Sequence, residues 1–215
     1  MLKISEAQRE VLQAAALTRY ETDMVAHLTK RSPNHATVLG PDGMIEAVRF
    51  GIGSAAEHGY TLRGPVRLWL ELMFLFGGYF DEDPLLPAGA KQLIKCDDPD
   101  RQMLAAKQLH AEASDFLARI SGPGNTYNRQ ALARIERLAA DDTPFHREGL
   151  EDRLFDAFSQ AHPQKIETLG QEPHRRMITQ AINQAEEMGV TAPRGIAIFP
   201  VMAFIVGSGF AKDPL

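Results

Sequence analysis

Apolar side chains recur at every third or fourth position through most of this chain, which is the period of helices with one buried face. From about Ser5 to Lys30, Leu17, Tyr20, Met24, Val25 and Leu28 fall along one stripe, and Pro33 ends the run. A second helix carries Val48, Ile52 and Ala55 and is expected to stop at Gly59, where glycine can take the left-handed conformation of a C-terminal cap. Thr61 is then placed to cap a third helix, VRLWLELMFLF at 66–76, which is apolar nearly all round and predicts a buried central element.

The same order returns near the end of the chain. Leu150, Leu154, Phe155 and Phe158 line a helix that Thr143 could cap with Pro144 in its first position, and Pro163 closes it. Ile178, Ile182 and Ala185 lead to Gly189, Thr191 and a second apolar run, IAIFPVMAFIV at 196–206. Gly195 to Phe210 contains no charged residue, but this stretch is shorter than the roughly 20 residues that span a bilayer. Pro200 also interrupts its hydrogen-bond ladder and is expected to kink it. Stable membrane insertion is therefore not expected.

Aligning the chain with itself at an offset of 130 pairs residues 32–85 with 162–215 without a gap and gives 14 identities. Chance at ordinary composition gives about 3 or 4. The identities include Gly59/Gly189, Thr61/Thr191, Phe74/Phe204, Asp83/Asp213 and Pro84/Pro214. They mark a structural repeat motif that closes on Phe-x-x-Asp-Pro-Leu, a chain corner in which a residue before proline is held extended. Loss of a turn bond in Asp83→Ala is expected to cost about 1 kcal/mol. Between the copies lie a short helix near Ala88–Lys95, a longer one near Pro99–Ile120 and another near Tyr127–Ala140, with SGPGN at 121–125 as the clearest break. Met103, Leu104, Leu109, Phe116, Leu117 and Ile120 supply the apolar face of the longer one. No alternating strand pattern appears. The expected fold is all-α: duplicated three-helix units at 1–85 and 143–215 packed around two apolar central helices, joined by a helical segment at 86–142.

Composition excludes more than it identifies. The 215 residues are 44% hydrophobic and 24% charged with a formal net charge of −5, so neither wholesale disorder nor nucleic-acid binding is expected. The single Cys96 cannot form an internal disulfide, and the charged start MLKISEAQREVLQ lacks the apolar run of a signal peptide, which together favour the cytoplasm. The seven histidines show no metal-ligand spacing and read as surface or helix-packing residues. GIGSAA at 51–56 looks like a dinucleotide fingerprint but lies inside a predicted helix with no preceding strand. No catalytic, metal or cofactor-binding residues are assigned, and an enzyme is not expected. The acidic cluster Asp81, Glu82 and Asp83 is read chiefly as a capping or turn device, with a docking patch for a basic partner as the functional alternative.

The phrases MVAHL at 24–28, Gly59-Tyr60-Thr61, LWLELMFLFG at 68–77 and FDEDPLLP at 80–87 resemble a group of uncharacterised bacterial proteins encoded beside spike and effector genes of type VI secretion systems. The resemblance covers the N-terminal repeat well and the middle loosely. This chain departs from the group at LLPAG, where an aromatic is expected after LLP. What the resemblance implies is a non-enzymatic adaptor or chaperone for a secreted effector or spike protein. The alternative is an immunity protein that neutralises a cognate toxin. A homodimer stays open, to be read from exposed Phe or Met on either central helix.

Overall fold

The computed structural model describes residues 5–139 and 146–215, and the proposed cap Thr143 with Pro144 lies outside them. Among the described residues the fold is all-α, with no strand. The chain divides into two compact units: one holds the residues through Gly78 with Lys95–Met103 and Pro214–Leu215, the other Tyr79–Ile94 with Leu104–Asp213. These boundaries differ from the repeat boundaries, because the middle segment is shared out between the units instead of forming a third body.

In the first unit α1 (Glu6–Arg31) begins in a capping box, with Ser5 accepting from the Gln8 amide and Gln8 returning the bond to the Ser5 amide. Tyr20, Met24 and Leu28 are buried from its expected stripe, while Leu17 is exposed. Helix α2 (Pro33–Glu57) begins with Pro33 in its first turn and is broken at Gly40, whose φ of 68° leaves helical geometry ahead of Pro41. It ends as expected at Gly59. There Tyr60 N–H donates to Ala55 O at 2.8 Å and Gly59 N–H to Ala56 O at 3.0 Å, the paired bonds of a Schellman cap, with Gly59 at φ +82°.

Helix α3 (Arg63–Phe76) follows after three residues, the last of them, Leu62, extended. The expectation that Thr61 caps it is corrected: its N-cap is Leu62, which has no side-chain bond. The amides of Thr61 and Leu62 instead donate to Oε1 of Gln102, at 2.7 and 3.0 Å, and Gln102 Nε2 donates back to the Thr61 hydroxyl. Gln102 is 2% exposed. The cap is thus supplied from some forty residues downstream, where no local pattern could show it. Trp69 is enclosed beside His58 and Tyr60, at ring separations of 4.7 and 5.7 Å.

In the second unit α4 (Ala88–Lys91) is a single turn, shorter than expected. Helix α5 (Gln102–Ser121), whose first residues belong to the first unit, is followed after a turn at Pro123–Asn125 by α6 (Thr126–Ala139). Helix α5 buries Gln102, Ala106, Leu109, Ala113, Phe116 and Ile120 at helical spacing. Met103 and Leu104, expected on that face, are 60% and 49% exposed. The stripe was obscured because alanines occupy two of its turns.

Helices α7 (Leu150–Ala161), α8 (Pro163–Leu169), α9 (Gln171–Glu187) and α10 (Pro193–Val206) complete the unit. Leu150, Leu154, Phe158, Ile178, Ile182 and Phe204 are central to its core. Helix bounds repeat at the offset of 130: α1 and α7 both end just before His162 or its counterpart Ser32, and α3 and α10 start at 63 and 193 and end at 76 and 206. Gly189 repeats the Schellman cap of Gly59, with Val190 N–H on Ala185 O at 3.0 Å and φ +80°. Thr191 caps nothing, since Ala192 is the N-cap of α10 and makes no side-chain bond. The expectation of two helices buried all round is also corrected. Helix α10 runs on through Pro200 and buries Ile196, Ala197, Pro200, Ala203 and Phe204, while Ile198 is 55% exposed. On α3, Leu75 is 60% exposed.

Candidate functional site

Asp83 is where the second unit is tied together. Gly77 ends α3 and Gly207 ends α10, with φ of 101° and 107° that only glycine takes readily. Short 3-10 turns follow at Phe80–Glu82 and Phe210–Lys212, and Asp83 and Asp213 are then extended, as the proline after each requires. Asp83 is 7% exposed. Its Oδ1 accepts the Leu85 amide at 2.7 Å, closing the local turn, and its Oδ2 accepts the Ser208 amide at 2.9 Å. A buried carboxylate so used leaves two amides unsatisfied when removed, so Asp83→Ala is expected to cost about 2 to 4 kcal/mol in urea unfolding, more than a turn bond alone. A cost below about 1 kcal/mol would place both amides within reach of water.

Of the acidic trio, then, Asp83 is spent on the chain's own backbone. Asp81 is half-buried and Glu82 exposed. Glu82 Oε2 lies 3.4 Å from Lys212 Nζ, and that ammonium lies 4.1 Å from the Tyr79 ring. Residues 82 and 212 are equivalent positions in the repeat, so the change from Glu to Lys between the copies is a charge complement. A sequence comparison that looked for opposite charges at equivalent positions would have found this pair.

Around Phe204 the second unit gathers its titratable groups. The ring is stacked on Phe158, with centroids 4.4 Å apart and planes at 3°. His162 and His174 approach it at 6.5 and 6.1 Å, and Lys165 Nζ lies 4.5 Å from its centroid. Lys165, half-buried with its ammonium enclosed, donates to Phe204 O at 3.0 Å and so satisfies a carbonyl in the last turn of α10. Burial brings its pKa down to about 8, against the opposing charge of Asp83. His162 is 4% exposed and His174 is fully enclosed. Burial, reinforced by the Lys165 charge, pushes each imidazole down to about 4.

None of these polar residues was singled out as a site from the sequence, where His162 and His174 read only as isolated packing histidines. Packing is where the structure places them. The signal that could have drawn attention is the repeat: the counterparts of His162, Lys165 and His174 are Ser32, His35 and Met44, so the polar cluster belongs to the second copy alone. Phe74, the partner of Phe204 in the repeat, is met edge-on by His35 at 5.4 Å.

Two other features face outward. An open cleft of about 250 Å³ is floored by Leu86, Phe116 and Leu169 and rimmed by Lys91, Glu112 and Arg119. Lys91 donates across its own turn to Pro84 O at 2.7 Å. The second feature is the uncovered side of α10, where Ile198, Ile205 and Val206 are 55%, 41% and 44% exposed. No helix among the described residues is long and apolar enough to cross a membrane. Cys96 is buried, with its thiol donating to Asp98 O at 3.3 Å. No group of three or more His, Cys, Asp or Glu among the described residues is placed to hold a metal ion. In comparisons with known proteins, no family model, no curated protein and no solved structure matches the chain.

Proposed function

We propose that this protein is a non-enzymatic helical adaptor or chaperone that holds an apolar segment of a type VI secretion effector or spike protein in the donor cytoplasm. The observation that carries the binding part is the bare side of α10. Arg194 is its one charged residue, and Ile198, Ile205 and Val206 recur at the spacing of a single helical face. Exposed aliphatic side chains gathered on one side of a helix with a single charged residue form a surface that an amphipathic segment of a partner suits. The resemblance of residues 24–87 to proteins encoded beside type VI genes supplies the identity of the partner class. The acidic residues Asp81 and Glu82 then serve at most as a rim, since Asp83 is committed internally.

The test is co-expression with the products of the adjacent genes. An adaptor raises the soluble yield of one of them and co-purifies with it. Ile198→Glu with Ile205→Glu is expected to weaken that capture by about tenfold or more, as loss of a buried apolar anchor does. Helical content should stay unchanged, because both side chains already face solvent. Rescue of cells poisoned by that neighbour, without any gain in its soluble yield, would replace the chaperone reading with the immunity one. Capture that survives the double change undiminished would move the binding surface off α10.

A further inference from the structure

Helix α8 has seven residues and no fully buried one, and only Ile166 and Leu169 pack partly against the core. Its two ends are held by imidazole rings. At the start, the Lys165 amide donates to Nδ1 of His162 at 3.2 Å, so that nitrogen carries the lone pair. The ring proton is then on Nε2, which donates to Asn128 Oδ1 at 2.9 Å. Asn128 is oriented for this because its own Nδ2 donates to Asn125 Oδ1 at 2.7 Å. At the far end, His174 Nδ1 donates to the carbonyl of Gly170 at 2.7 Å, which leaves the lone pair on an enclosed Nε2 with no partner. Gly170 is the hinge between α8 and α9, at φ +82° with nothing within 4 Å of where a Cβ would stand. We propose that α8 is an acid-released strap, clasped at both ends by neutral histidines and freed when they take up protons.

Protonation works against the two clasps in different ways, at one by removing a bond and at the other by burying a charge. A proton on His162 Nδ1 faces the Lys165 N–H, donor against donor, and leaves that amide only its 3.1 Å bond to the His162 carbonyl. A proton on His174 Nε2 leaves the Nδ1 bond to Gly170 O in place but puts a charged donor in an enclosed site where nothing accepts it, so the ring is driven out by burial of charge. The surrounding charge does not help. From α8 comes the Lys165 ammonium, from α6 Arg134, whose guanidinium donates to the carbonyl oxygens of Gln160 and Ala161, and each histidine adds to the other once charged. Helix α10 presents the Phe204 ring, and its Arg194 is exposed. Of the three α7 carboxylates, Asp152 is engaged with Arg175 and Glu151 with Thr179, and Asp156 is exposed. Asp83 has both oxygens taken by backbone amides.

The sign follows from both histidines titrating near 4 in the folded chain, below the usual 6.5. The clasped form binds fewer protons than the open one, so its stability is complete above about pH 6.5 and is lost as pH falls toward 4. The first unit is the built-in comparison. Ser32 and Met44 occupy the equivalent positions, and Ser32 makes no cap bond with its side chain.

Amide hydrogen exchange between pH 7.5 and pH 5, corrected for the intrinsic pH dependence of exchange, reads the strap directly. Protection of residues 163–174 is expected to fall about tenfold or more, while residues 33–44 keep theirs. In H162N with H174M the asparagine keeps an oxygen for the Lys165 amide, and methionine is the residue at the equivalent buried position. Protection should then no longer depend on pH in that window, and each single variant should remove part of the dependence. Unchanged protection of 163–174 in the wild type, an equal loss in 33–44, or single and double variants that keep the full acid response would each overturn the proposal.

Discussion

Gly59→Ala will unfold the first unit at markedly lower urea than wild type, at a cost of about 3 to 5 kcal/mol, while Gly189→Ala will cost about 1 to 2 kcal/mol. Both glycines close Schellman caps at nearly the same positive φ, +82° and +80°, so the strain of adding a side chain is common to both. What differs is the space. A Cβ on Gly59 would stand 2.1 Å from the backbone carbonyl oxygen of Cys96, whereas one on Gly189 meets nothing within 4 Å. That carbonyl is held in place because the Cys96 amide donates to His58 O at 2.9 Å. Trp69, the one tryptophan in the chain, lies in the first unit and reports its unfolding by fluorescence. Helical circular dichroism serves for Gly189. Costs equal within about 1 kcal/mol would mean that the Cys96 segment shifts aside without loss.

Phe204→Ala is expected to cost about 4 to 5 kcal/mol, at the upper end for an aromatic truncated in a core, and Phe74→Ala about 3 kcal/mol. Both rings are nearly buried, at 4% and 6% exposure. The Phe204 ring does more. It stacks face to face on Phe158 and lies under the Lys165 ammonium, so its removal opens a cavity and takes the π face from an enclosed cation. Phe74 meets a single half-buried histidine edge-on. Urea midpoints at constant slope will separate the two. A Phe204→Ala protein within about 1 kcal/mol of wild type would show that the neighbouring side chains collapse into the space.

Much of the fold was legible because its punctuation is local. Ser5 with Gln8 marks the start of α1, and Gly59 and Gly189 mark their caps. The prolines after Asp83 and Asp213 force the corners, as backbone sterics alone dictate. What was not legible depended on distant partners. Gly40 leaves helical geometry ahead of Pro41, yet helix continues on both sides of it, so the apolar positions 48–55 show only the second half of α2. Thr61 looked like a cap because its chemistry fits, but Gln102 supplies the acceptor instead. The Phe204 cluster was invisible for the same reason. His162 and His174 are twelve positions apart and meet only because α8 folds back between α7 and α9. Nothing in their spacing announces that one caps a helix and the other holds a hinge carbonyl.

The first unit is not continuous along the chain: Lys95–Met103 belongs to it, although the polypeptide leaves at Gly78. On the ribosome this sets an order of events. Helices α1 to α3 emerge first, with the amides of Thr61 and Leu62 still bonded to water and the inner side of Gly59 uncovered. They cannot close until Cys96 and Gln102 have followed them out. A nascent chain arrested near Leu85 should therefore hold a loose N-terminal bundle open to protease, and one arrested well beyond Met103 a closed one. Cutting the gene at the visible end of α3 to obtain that unit alone would discard the piece that seals it.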